Sequence, residues 1–190
     1  MKTYFISGHT DLSLQLFNQY YEPEIYRAIQ DASITWDDQN DPSGYMIHFL
    51  IGGASGVDSM AQDYLSKYIN DSRIKVTVYD RLCENNCRID NFCHVNGFES
   101  YTKRDEQMTT DSYEDIAFFR IYMGLGSGTC LNVMRRLIGQ IHAMKFRCTA
   151  RDYLSDIKDY GVLMDRLEDI CSSYLYGAKM LDVIKAKLIK

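Results

Sequence analysis

Proline is scarce in this chain, at two of 190 residues, and tryptophan occurs once. So little proline, beside 13% aromatic residues, excludes the composition of a disordered segment. No stretch approaches the roughly 20 apolar residues that a membrane-spanning helix needs. Basic side chains are outnumbered, 21 against 26 acidic ones, for a formal net charge of −5. That balance argues against a protein that tracks a long phosphate backbone, because such binding draws on clustered Lys and Arg. It leaves room for a small anion held by backbone amides. The segment Met1 to Gly8 turns polar too soon for a signal peptide. The six cysteines are therefore expected as reduced thiols, and the protein as cytoplasmic.

What is present is the composition of a soluble globular domain, 46% apolar and 25% charged. Thr3 to Ser7 is a β-prone run that ends at Gly8. A helix is expected from Thr10–Ser13, restarted or kinked at Pro23. The turn cluster Asp37 to Gly44 leads into the apolar run Tyr45 to Ile51, as a strand buried on both faces would. Val57, Met60, Ala61, Tyr64, Leu65, Tyr68 and Ile69 then recur at helical spacing. Lys75–Tyr79 and Asp115–Arg120 read as the third and fourth strands, and Lys145–Thr149 as a short fifth. Residues 81–102 read as irregular, and 103–111 as a short helix.

This alternation predicts a doubly wound, Rossmann-like α/β fold with a mainly parallel, five-stranded sheet over residues 1–150. Residues 151–190 read as a helical C-terminal extension, with an apolar stripe of Leu163, Leu167, Ile170, Tyr174, Ala178 and Leu181. Such a face is expected to pack on the sheet domain or to form a homodimer interface.

Ligands of open parallel sheets bind beyond the carboxyl ends of the strands, where strand order reverses. Three segments leave a strand there with small or polar residues: Ser7, Gly8, His9, Thr10; Gly52, Gly53, Ala54, Ser55, Gly56, Val57, Asp58; and Gly126, Ser127, Gly128, Thr129. Glycine lets the backbone approach a bulky anion, and the next helix offers free N–H groups and a favourable dipole. The same glycines equally serve tight packing. The 52–58 loop fits neither GxGxxG nor GxxxxGK[ST], so dinucleotide and P-loop binding are not supported.

The run Gly52 to Ala61 resembles the GGARGADxxA-type loop of the SLOG superfamily, which contains the DNA-processing protein A core and the lonely-guy phosphoribohydrolases. Arg104 to Thr109 resembles the RDxxMT segment of its small bacterial and phage members, and Ser127 to Asn132 their SGTxxN segment. Ile6 to Leu12 is similar to their opening strand and turn, so the resemblance covers about residues 3–140. It implies a phosphate at the 52–58 loop, with sugar or base near Arg104 and Gly126 to Asn132. Lonely-guy enzymes carry MHxRK and PGGxGTxxE motifs. Their motif arginine falls on Arg104, but their lysine position is Asp105 and their glutamate position Asn132. Asn132 bonds a ribose hydroxyl without offering charge to an oxocarbenium-like transition state. The resemblance thus implies a kept phosphate cradle and altered glycosidase chemistry.

Asp58 reads either as a replacement carboxylate or as a first-turn residue that complements the helix dipole and caps amides. His9 is an acid–base candidate or a hydrogen-bond partner of its loop. Arg104 is expected to bind phosphate, or to pair with Asp105 or Glu106. Tyr101 and Tyr113 flank that segment and are placed to stack on a base, or to sit at the rim. Cys83, Cys87, Cys93 and His94 raise a zinc site, although their spacing is unlike common zinc modules and the region reads as a surface loop. Cys130 and Cys148 read as core residues.

The expected function is binding of a nucleotide or nucleotide-derived small molecule, without cofactor, metal, long nucleic acid or membrane. The alternative is an N-glycosidic hydrolase or deoxyribosyltransferase-like enzyme on nucleoside monophosphates, with Arg104, Asp58 and His9 as candidates. A third reading is an interaction protein whose pocket is vestigial. Gly56→Val is expected to abolish ligand binding while sparing the fold if Gly56 lies at the phosphate.

Overall fold

The computed structural model describes residues 1–36, 44–119, 128, 129, 132, 135, 136 and 149–152. Six strands form the sheet: β1 (Lys2–Ser7), β2 (Ile47–Gly52), β3 (Ile74–Arg81), β4 (Cys93–Phe98), β5 (Glu114–Phe119) and β6 (Thr149–Asp152). They lie in the order β4-β3-β2-β1-β5-β6, and every neighbouring pair is parallel. The chain builds outward from β1 to β4 along one side, then returns to place β5 on the other side of β1. Strand order therefore reverses between β1 and β5, where an open α/β sheet forms its crevice.

Three helices are described besides the helical residues after β5: α1 (Leu14–Thr35), α2 (Val57–Leu65) and α3 (Tyr101–Asp111), with a 3₁₀ turn at Ser66–Tyr68. Period-two alternation sends the strand side chains to two separate cores. Tyr4, Ile6, Phe49, Ile51, Val76, Ile116 and Phe118 pack with Phe17, Tyr21 and Ile25 of α1 and with Ala61 and Leu65 of α2. On the other face Phe5, Leu50 and Tyr79 pack with Met108 of α3. The expected Rossmann-like, doubly wound α/β fold is what the structure has.

The sheet has six strands where five were expected. The additional one is β4, inside the segment read as irregular. Its residues Cys93 to Gly97 are exposed, so no apolar period marks it. Backbone pairing to β3, irregular between Tyr79 and Arg81, makes it a strand. α1 is also one continuous helix through Pro23, because Tyr21, Ile25, Ala28 and Ile29 anchor it to the core on both sides of the proline. Its N-cap is Ser13, whose hydroxyl accepts the Leu16 N–H at 3.3 Å. The helical face expected to run to Ile69 ends its α-helical part at Leu65.

The expected turn at 37–43, most of the fifth strand at 145–149 and the whole C-terminal extension lie outside the described residues. Within 149–152, β6 pairs with β5 from Ile116↔Thr149 to Phe119↔Asp152. Among the described residues, no helix is long and apolar enough to cross a membrane.

One side chain ties the reversal point together. Tyr21 is fully buried, its hydroxyl donates to the Ser7 carbonyl at 2.8 Å, and it accepts the Phe118 N–H at 3.1 Å. It thereby joins the carboxyl ends of β1 and β5. Gly8 follows because a Cβ there would collide with the Tyr21 hydroxyl and with Val57.

Candidate functional site

A cavity of about 770 Å³ opens at this reversal point. The carboxyl end of β1 lines it with Ser7, Gly8, His9 and Thr10, and the β2–α2 loop adds Gly53, Ala54 and Ser55, with Asp58 from α2. The β3–β4 loop contributes Glu84 and Asn86. α3 supplies Tyr101, Thr102, Arg104 and Asp105, and the helical residues after β5 supply Gly128, Thr129, Asn132 and Arg135. Parallel strands carry all of their carboxyl ends, and hence these loops, to one side. The volume lies within the usual range for small-molecule sites.

The expected segments therefore converge, but their residues divide between wall and support. Ser7, Gly8, His9, Gly53, Ala54, Ser55, Asp58, Arg104, Gly128, Thr129 and Asn132 line the cavity. Gly52, Gly56 and Val57 do not. Val57 is a core residue with no exposure. A Cβ on Gly52 would collide with the side chains of Asp58 and Arg104. Gly56 has φ +73°, and a Cβ there would collide with the backbone of His9 and Thr10. Glycine is required at 56 by conformation and by close loop packing. Gly126 and Ser127 lie outside the described residues.

The amides of the 52–58 loop are largely engaged within the protein. The Gly53 N–H donates to the Tyr79 carbonyl at 3.1 Å, and the Val57 N–H to the His9 carbonyl at 3.2 Å. Ala54 N–H donates to Asp58 Oδ2 at 3.1 Å, so this first-turn carboxyl locks the loop before its own helix. An anion here relies on side chains more than on that loop's backbone.

The charged centre is Arg104 with Asp58 and Asp105, all three buried. Arg104 Nε and Nη2 both donate to Asp105 Oδ1, at 2.9 and 2.8 Å. Asp58 Oδ2 lies 4.0 Å from Arg104 Nη2. Burial pushes the Asp58 carboxyl up to about 7, although Arg104 and the Ala54 N–H pull the other way. Burial also works against the Arg104 charge, but Asp58 and Asp105 outweigh it and raise that guanidinium above its ordinary value. Arg104 Nη1 is buried and has no hydrogen-bond partner among the described residues.

Comparison of the chain with protein-family models, with curated proteins and with solved structures finds no match.

Tyr101 lines the cavity, but its ring already faces two guanidiniums, Arg81 at 4.1 Å and Arg104 at 5.0 Å. Tyr113 is exposed and is not part of the wall. His94 Nε2 donates to Asp80 Oδ2 at 2.9 Å, and Asn86 donates to the same carboxylate through its backbone N–H and its side-chain amide. Cys83 and Cys93 are exposed. Among the described residues no group of three or more His, Cys, Asp or Glu side chains is arranged to hold a metal ion. His94 is an Asp80 partner that backs the 53–54 turn, where a Cβ on Gly53 would meet Asp80.

Glu84, Asn86, Thr102 and Arg135 line the site without having been expected there. A signal for the first two existed: a loop that leaves the carboxyl end of a parallel strand faces the same crevice as its neighbours. Arg135 donates to Asn132 Oδ1 at 2.6 Å, one helical turn away.

Proposed function

We propose that the chain binds a nucleotide or nucleotide-derived small molecule in the cavity between the ends of β1 and β5, as a SLOG-like protein. The observation that carries this reading is Arg104, which lines a cavity of about 770 Å³ and whose buried Nη1 has no partner among the described residues. A buried donor left unmade is costly, and a guanidinium is suited to a phosphate oxygen. Ser7 Oγ, on the same wall, is likewise buried without a partner. The net acidity of the chain suits a compact phosphate compound better than a nucleic-acid strand.

The test is a thermal-shift and calorimetric screen with nucleoside 5′-monophosphates, diphosphates and cyclic nucleotides. Stabilisation that disappears in Arg104→Ala supports the reading. No stabilisation by any of them at millimolar concentration overturns it.

One observation favours the enzymatic alternative. Asp58 lines the cavity and is raised to about 7, which suits a carboxyl that gives up a proton near neutrality. In N-glycosidic hydrolysis that proton goes to the departing base as the C–N bond breaks, water adds its hydroxyl to the sugar carbon, and the proton left from that water returns to the Asp58 carboxylate. Chromatography for released base separates the readings: release that is lost in Asp58→Asn favours the enzyme, and intact nucleotide favours binding alone.

A further inference from the structure

Among the described residues, the buried side-chain polar atoms without a hydrogen-bond partner are Ser7 Oγ, Trp36 Nε1, Glu84 Oε2 and Arg104 Nη1. Trp36 lies at the end of α1, whereas Ser7, Glu84 and Arg104 all line the same cavity. Their chemistries differ. Arg104 Nη1 only donates, an ionised Glu84 only accepts, and Ser7 Oγ does either.

Glu84 is held in place on its other oxygen. Arg81 Nε donates to Glu84 Oε1 at 2.9 Å, Arg81 Nη2 donates to the same atom, and so does the Tyr101 hydroxyl at 3.4 Å. The Arg81 hydrogen bonds keep the carboxyl below its ordinary range, so it is ionised at neutral pH. Arg81 and Arg104 both lie against the Tyr101 ring, which links the clamped carboxylate to the guanidinium through one aromatic spacer. A simple anion satisfies Arg104 and is repelled by Glu84 and Asp105. One ligand satisfies both orphan atoms when it presents an acceptor at Arg104 Nη1 and a donor at Glu84 Oε2.

We infer that Glu84 is a specificity-determining residue, whose Oε2 accepts a hydrogen bond from a hydroxyl or amino group of the ligand whose anionic group binds Arg104 Nη1. The site then selects an anionic ligand with such a donor over an otherwise equal one without it. This rests on the reading that a nucleotide-like anion occupies the cavity. A sugar hydroxyl and a base amino group are the two sources of that donor in a nucleotide.

Calorimetry on the full chain with AMP, 2′-deoxy-AMP, 3′-deoxy-AMP, IMP, ribose 5-phosphate and inorganic phosphate tests it. AMP against the deoxy compounds reads the hydroxyl source, and AMP against IMP reads the amino source. Wild type is expected to prefer the donor-bearing compound by about ten-fold or more, as for a hydrogen bond to a charged group. In Glu84→Gln the amide oxygen faces Arg81 and the amide NH₂ replaces Oε2, so a donor meets a donor. The preference should then collapse to about one, and the donor-lacking compound should gain affinity as the repelling charge is removed. Glu84→Ala, which removes the acceptor without adding a donor, should lose the preference as well. Arg104-dependent binding with no such preference in wild type, or with a preference that survives both Glu84 variants, overturns this inference and leaves the nucleotide reading standing. No binding by any of the six compounds overturns this inference, and the nucleotide reading falls with it only when the diphosphates and cyclic nucleotides also fail to stabilise the chain.

Discussion

Arg104 and Asp105 are neighbours in sequence and also partners in space, with Nε and Nη2 of the arginine both donating to a single oxygen, Asp105 Oδ1. Consecutive helical residues do not normally face each other. Here the pair forms at the start of α3, buried against the crevice, and it leaves Nη1 for something else.

Removing one member of a buried ion pair strands the other, at a cost of about 3–5 kcal/mol. Arg104→Ala should therefore lower stability by roughly that amount, and the added Asp105→Ala should restore part of it. Denaturant unfolding of the two single variants and the double variant measures the coupling. Simple additivity would mean that the pair contributes nothing.

Asp58 gives a pH signature. Its carboxyl rises from 3.8 to about 7 on folding, so the folded state holds the proton more tightly. The associated stability is complete below the unfolded value near 3.8 and is lost as pH rises through about 7. Asp58→Asn has no proton to lose. Relative to wild type it should gain about 2–3 kcal/mol in unfolding free energy between pH 5 and pH 8. Parallel pH profiles for the two proteins would contradict this.

At Gly56 two costs combine. Its φ of +73° disfavours any side chain, and a Cβ would meet the backbone of His9 and Thr10. Gly44 has a similar φ of +69°, but a Cβ there would meet nothing within 4 Å. Gly44→Ala should cost about 1 kcal/mol from conformation, and Gly56→Ala clearly more. Chemical denaturation of both reads the difference, and equal costs would remove the collision. Gly56→Val accordingly tests folding, and not ligand binding as its place in the loop implied.

Arg136 is almost fully buried and forks onto Asp115, Nε to Oδ2 at 3.1 Å and Nη2 to Oδ1 at 3.0 Å. It also donates to the carbonyl and the hydroxyl of Ser112. This clamp holds the helical residues after β5 against the start of that strand. Asp115→Ala should cost about 3–5 kcal/mol, and Asp115→Leu less than that only if the arginine finds another acceptor. A melting temperature unchanged in Asp115→Ala would show that the clamp is not structural.

Much of the architecture was legible in the sequence, because burial on both faces writes itself as apolar runs. Tyr45 to Ile51 and Lys75 to Tyr79 announce central strands, and Val57 to Leu65 announces a helix by its spacing. β4 was not legible: an exposed edge strand carries no burial pattern, and only its hydrogen bonds to β3 define it. The glycine turns marked where the crevice lies. They did not mark which glycines face it: Gly53 and Gly128 line the wall, Gly53 with Asp80 packed against it, while Gly52 and Gly56 only make room for neighbouring groups.

By itself the sequence determined a parallel α/β sheet, the side of it on which a site must lie, and Arg104 as a residue to watch. The first two follow from local periodicity and from the rule that parallel strands end together, and Arg104 from its place in the motif that the chain resembles. Only the tertiary structure decided that Glu84 joins Arg104 on one wall, that Asp58 is buried enough to hold a proton near neutrality, and that Tyr101 is already flanked by two guanidiniums. Burial and charge proximity arise between segments distant along the chain, and neither is written in the spacing of any one of them.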